Sequence, residues 1–302
     1  MMKKVCIALI GALTLIVSTA HAAPAASVQA EQLRAKYGSL TDALKTNPYK
    51  RPLHIESAET SSMLNGDVYA VVPHPFSAVS AALTEAGHWC DIMILPVNTK
   101  DCRVGQASAG GVAVSIRIGR KEDQELEDAY PIEFAMRIAE KTPEYLSVRL
   151  DADIGPMATR DYRVQVEATP IENGKTFLHL HYSYGFGMAG RIAMQAYLAT
   201  AGANKVGFTS SGGKLVGGTR GVVERNAMRY YLAIDAYLAA ASSPAPAQVE
   251  RRLQSWFDSS EQYARQLHEL ERGEYVAMKR REIQRQRSPQ EIVRVQPPSD
   301  RF

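Results

Sequence analysis

The sequence predicts an α+β fold, an antiparallel sheet followed by a long helix, with a further helical stretch behind it. Three segments carry this prediction. Val68–Leu83 (VYAVVPHPFSAVSAAL) passes from a short apolar strand through Pro73 and Pro75 into helical spacing at Phe76, Val79, Ala82 and Leu83. Tyr162–Tyr184 holds two alternating runs around Asn173-Gly174, the pair that a type I′ hairpin selects because both positions need positive φ. Val222–Ala241 (VVERNAMRYYLAIDAYLAAA) spaces Val223, Ala227, Tyr230, Tyr231, Ile234, Leu238 and Ala241 by three and four, the stripe of an amphipathic helix.

In chain order, residues 1–22 read as an export signal. Lys3 and Lys4 are the basic start, Val5–Val17 the apolar run, and Ala20-His21-Ala22 the small-x-small cleavage pattern. The run is too short to span a bilayer comfortably, and Cys6 lies inside it rather than at its end, where a lipid anchor would need it. The mature chain is expected in the periplasm or outside the cell. Residues 23–66 read as a helical lead-in, with Leu33, Tyr37, Leu40 and Leu44 at helical spacing until Asn47-Pro48 and Arg51-Pro52 break it.

From Asp67 to Ala241 the chain reads as the main domain, 67–241. Alternating runs at Val112–Ile118, Ile132–Ile138, Leu146–Leu150, Tyr162–Val166 and Leu178–Tyr184 predict half-buried strands joined by short turns. Met188–Ala201 is a short helix and Gly207–Gly218 a flexible loop. Glu224 stands in the first turn of the long helix, where the dipole favours an acid. After the stop at Ser242–Pro246, 247–287 is a charged helical extension with a narrow stripe at Val249, Leu253, Trp256, Tyr263, Leu267 and Leu270, and Gly273 is a candidate break. Such a stripe packs on the body of the protein, or docks an envelope protein or a membrane surface. The tail, 288–302, reads as disordered.

Removing Lys3 and Lys4 lowers the formal net charge from +3 to +1. Near-neutrality argues against nucleic acid as a partner, which requires a strongly basic face. Cys90 and Cys102 are the cysteines left after the leader. In an oxidising compartment they should form a structural disulfide.

Few residues point to chemistry. Gly207–Leu215 fails the phosphate-loop pattern at Phe208 and Leu215, and no nucleophile elbow or haem-attachment motif is present. No cofactor is expected. His179-Leu180-His181 places two imidazoles on one face of a strand, but sequence offers only distant third ligands such as His74 or Glu133, so no metal is expected. If Leu178, Leu180, Tyr182 and Tyr184 face inward, as the apolar count favours, the histidines face out; a concave cavity face, however, often carries isolated polar groups that orient a ligand, and one strand does not decide between the two. Trp89 either lines a cavity mouth or closes the core. Arg225 and Arg229, four apart on the long helix, suit the carboxylate or phosphate head group of an amphiphile, or a solvated face.

The order strand, short helices, antiparallel strands, long closing helix resembles the START-like (SRPBCC, helix-grip) superfamily. The resemblance rests on Val68–Leu83, the Trp89-to-Val97 region, the Tyr162–Tyr184 hairpin and Val222–Ala241. It implies a curved sheet wrapped around the long C-terminal helix with a hydrophobic cavity between them, and hence binding of a lipid or other hydrophobic small molecule. Candidate ligand contacts are Trp89, Tyr162, His181, Tyr184, Arg225 and Tyr230, with Gly207–Gly218 and the 188–201 helix as the gate. The alternatives are an envelope scaffold acting through 247–287, or a cyclase- or hydrolase-like enzyme with His181 and Glu133 as the acid–base pair.

Overall fold

A computed structural model describes residues 27–106, 111–200 and 202–288. The leader expected over 1–22 and the tail beyond Ser288 lie outside the described residues.

Helix α1 (Val28–Lys45) starts where the Ser27 hydroxyl accepts the Ala30 N–H, and buries Leu33, Leu40 and Leu44. These pack with Tyr69, Tyr145 and Phe177 on the outer face of the sheet. The sheet begins earlier than Asp67. Strand β1 (Leu53–Glu59) pairs with β2 (Met63–Val72), so the lead-in assigned to 23–66 contributes a strand and the start of another. Helices α2 (Phe76–Thr84) and α3 (Ala86–Met93) follow. Strands β3 (Thr99–Gln106), β4 (Val112–Ile118), β5 (Tyr130–Lys141), β6 (Leu146–Ile154), β7 (Thr159–Ile171) and β8 (Lys175–Phe186) complete an eight-stranded sheet. Its order is β1-β2-β8-β7-β6-β5-β4-β3, antiparallel throughout. The β7–β8 turn has Asn173 and Gly174 at φ 61° and 66°, the left-handed pair the sequence called for. Because Ile171 pairs with Lys175, the connection is Glu172-Asn173-Gly174, one residue longer than the two-residue turn.

After α4 (Met188–Ala199) and the small pair β9 (Ser210–Ser211) and β10 (Lys214–Leu215), helix α5 (Gly218–Ala240) lies on the inner face. It approaches β2 so closely that a Cβ on Gly66 would stand 3.1 Å from Val223 O and 3.3 Å from Ala227 Cβ. The extension is three helices rather than one: α6 (Ala245–Glu261), α7 (Ala264–Leu267) and α8 (Arg272–Arg287). The break falls before Gly273, where Glu271 and Glu274 form a capping box at the start of α8. The stripe is not available to a partner, because Leu253, Trp256, Tyr263 and Leu267 are buried against the body. Trp256 stacks on Tyr275 with centroids 5.0 Å apart.

Helix α8 also covers β3, the last strand of the sheet, which would otherwise expose unpaired backbone. The Tyr275 hydroxyl donates to Leu95 O (2.9 Å), Lys279 Nζ to Thr99 O (2.6 Å), and Gln286 Oε1 accepts the Cys102 N–H (3.2 Å). Lys100, Lys279 and Glu282 form a buried ionic cluster there. The Cys90–Cys102 disulfide ties α3 to the same strand.

Candidate functional site

Between the inner face of β7 and β8, the first turns of α5, and α4 lies a cavity of ≈ 780 Å³. That is within the range of roughly 300–1,000 Å³ of small-molecule sites. An inner recess of ≈ 100 Å³, walled by Ile116, Ile132, Phe134 and Tyr230, shares Tyr162, Tyr182, Asn226 and Arg229 with it. Strand periodicity turns Tyr182 and Tyr184 of β8 inward. On α5, Val222, Arg225, Asn226 and Arg229 share one face because they are spaced by three and four.

The rings form a continuous aromatic wall. Tyr162 stacks on Tyr184 with centroids 5.2 Å apart, and Tyr182 meets Tyr230 at 5.3 Å. Tyr162 and Thr159 share a hydroxyl hydrogen bond of 2.7 Å. Burial pushes the Tyr162 phenol up to about 12, and Tyr184 and Tyr230 higher still. The wall therefore presents neutral hydroxyls at physiological pH.

Two guanidiniums enter this wall in different electrostatic settings. Arg229 is compensated, with Nη2 2.6 Å from Glu269 Oε1, and Lys121 Nζ lies 2.7 Å from the same oxygen. Burial alone would raise the Glu269 carboxyl, but Arg229, Lys121 and Lys205 outweigh it and hold it below the usual range. Arg225, only 2% exposed, donates from Nη1 to Val206 O at 3.2 Å and forms no ion pair among the described residues. A buried charge without a counterion is costly.

Of the candidate contacts, Tyr162, Tyr184 and Arg225 line the cavity and Tyr230 lines the recess. Trp89 lines neither. It is 1% exposed, donates Nε1–H to Leu83 O at 2.8 Å, and closes the core under α3. His181 lines neither as well, since it lies on the opposite face of the sheet with the exposed Glu133, so this pair cannot serve the cavity. The Gly-rich loop is not part of the cavity wall. The buried Glu224 carboxylate fastens it by accepting the Phe208 and Thr209 N–H groups at 2.6 and 2.9 Å and the Ser57 hydroxyl at 2.5 Å. Helix α4 presents Met194 and Tyr197 to the cavity but buries only Gly190. Lys121 and Glu269 escaped sequence reasoning because nothing local links them. They meet only when α7–α8 folds back over the β4–β5 loop.

On the outer face the histidines meet a residue the sequence did not link to them. Asp67 pairs with His181 in register across β2 and β8. Its Oδ1 lies 2.8 Å from His179 Nε2 and 2.8 Å from His181 Nδ1. The other nitrogen of His179, Nδ1, faces Glu167 Oε2 at 2.9 Å. Tyr145 OH donates to Glu167, and Tyr69 stacks on the His179 ring at 4.3 Å.

No protein-family model and no curated protein matches this chain. Among solved structures, norcoclaurine synthase from Thalictrum flavum with dopamine and hydroxybenzaldehyde is 9% identical, with a TM-score of 0.37 over 61% of this chain and 91% of that one. Human StAR-related lipid transfer protein 5 is 8% identical, with a TM-score of 0.31 over 57% and 89%. The Zhui aromatase/cyclase from Streptomyces sp. R1128 is 13% identical, with a TM-score of 0.32 over 67% and 95%. At these identities and scores the likeness assigns no function. By its own topology, an open antiparallel sheet that holds a long C-terminal helix against its inner face, with two short helices inserted after β2, the chain has the START-like, helix-grip fold.

Proposed function

We propose that this protein is an exported carrier that holds one lipid or other hydrophobic molecule in the α5 cavity, its anionic head group on Arg225. The carrying observation is that guanidinium, buried in a tyrosine-lined cavity with no carboxylate partner among the described residues. A carboxylate or phosphate on the ligand would supply the missing counter-charge, in the bidentate geometry arginine favours. The apolar part would lie along Tyr184, Met194 and Tyr197, gaining about 0.8 kcal/mol per buried CH₂. Entry would be over α4, whose Met188 and Ile192 are exposed, beside Met157, which lines the mouth and is itself half exposed. Export is supported by the basic-apolar-small start of the chain and by the Cys90–Cys102 bond, which belongs to an oxidising compartment.

The test is native mass spectrometry with organic extraction of the mature chain purified from its own periplasm. A co-purified anionic amphiphile at one per chain supports the reading and identifies the ligand class. A chain that arrives empty and takes up no hydrophobic probe overturns it.

A further inference from the structure

We propose that Asp67, His179 and His181 form a binding site for one divalent transition-metal ion, of the zinc class, on the outer face of the sheet, remote from the ligand cavity. One carboxylate oxygen and two imidazole nitrogens converge there, all within 4.8 Å of one another. Asp67 Oδ1 is 2.8 Å from each nitrogen. Tetrahedral zinc with bonds near 2.0–2.1 Å sets neighbouring ligand atoms about 3.3 Å apart, so Asp67 Oδ1 and each nitrogen need to part by only about half an ångström. The donor set, two borderline nitrogens and one oxygen, suits zinc over calcium or magnesium, which prefer all-oxygen shells.

A second observation is the environment of His179. Both its ring nitrogens face carboxylate oxygens, Asp67 at 2.8 Å and Glu167 at 2.9 Å. A cation bound by Nε2 and Asp67 would take the place of the hydrogen between them and leave Nδ1–H to donate to Glu167. This is the carboxylate–histidine arrangement that orients metal ligands. The outer shell is itself fixed, because Tyr145 OH donates to Glu167 and Tyr69 stacks on the His179 ring.

The ligands sit on β2 and β8 in the middle of the sheet, where backbone pairing fixes their spacing. The three side chains keep 14–24% of their surface, enough for an ion to enter and for solvent to complete its shell.

The experiment titrates Zn²⁺ into the EDTA-stripped mature chain by calorimetry, with Asp67→Asn, His181→Ala and Glu167→Gln variants alongside. The expected result is one ion per chain, affinity lowered about 100-fold or more in the two ligand variants, and lowered about 10-fold in Glu167→Gln. Zinc-edge X-ray absorption on the wild-type complex covers a variant that fails to fold, and two coordinated imidazoles are expected. The absence of saturable binding, binding that survives Asp67→Asn and His181→Ala, or a shell without imidazole would each overturn the proposal.

Discussion

Replacing Arg225 by methionine separates a ligand anchor from a structural residue, because the two roles predict opposite effects on stability. The side chain is 2% exposed, and its hydrogen bond to Val206 O is not accompanied by an ion pair among the described residues. Burying the charge costs several kcal/mol. The bond returns about 1.5–3 kcal/mol, the range for a hydrogen bond made by a charged group. In the empty protein the two nearly cancel or leave a deficit. Methionine keeps much of the apolar stem and removes the charge, so the delipidated Arg225→Met protein should melt at the wild-type temperature or a few degrees above it. At about 2–4 °C per kcal/mol for a chain of this size, 1–2 kcal/mol of relief is readily measured. Binding should move the other way. Loss of the charge-assisted contact to a carboxylate head group should weaken a fluorescent fatty acid about 10- to 150-fold, the same 1.5–3 kcal/mol. The assay is paired, thermal melting of the delipidated protein and probe displacement at equilibrium. A melting temperature lowered by more than about 4 °C with probe affinity unchanged would refute the reasoning and make Arg225 a structural residue.

Three other outcomes are expected. Glu269, held below the usual carboxylate range in the fold, contributes stability that is present above its unfolded value and is lost as pH falls through the folded one. Glu269→Gln should therefore cost about 2–4 kcal/mol near neutrality, by leaving Arg229 uncompensated, and the gap to wild type should close in acid denaturation series. Gly66→Ala puts a methyl 3.1 Å from Val223 O and should destabilise the chain by about 1–3 kcal/mol in urea melts, with a smaller cost if α5 can shift outward. Reducing Cys90–Cys102, or replacing both by serine, should cost about 3 kcal/mol, since the closed loop is short, and should leave probe affinity within a few-fold, because neither cysteine lines the cavity.

What the sequence determined by itself was whatever depends on local period and local turn chemistry. The alternation of Leu178, Leu180, Tyr182 and Tyr184 separated the two faces of β8 but left open which one lines the cavity, and the structure buries all four. Asn173-Gly174 located the β7–β8 turn, and the stripe from Val223 to Leu238 located α5. Strand β3 was not legible, because TKDCRVGQ has no alternation. Its buried half includes Lys100 and Asp101, and Lys100 is tolerated there because Glu282 of α8, 182 residues away, supplies its counter-charge. Strand β1 was hidden for a related reason, since only Leu53 and Ile55 carry its buried face and the rest, apart from Ala58, is polar.

The site divides the same way. Of the candidate contacts, Tyr162, Tyr184 and Arg225 line the cavity and Tyr230 its recess, because strand and helix periodicity turns each toward the sheet–helix interface. Trp89 and His181 were misplaced, since residue type alone does not tell a core aromatic from a cavity wall, or one sheet face from the other. The pairing of Glu269 with Arg229, and of Asp67 with two histidines 112 and 114 residues further on, was decided only by tertiary structure. Charge compensation and ligand convergence depend on distances of a few ångströms between segments remote in sequence, and no local pattern records them.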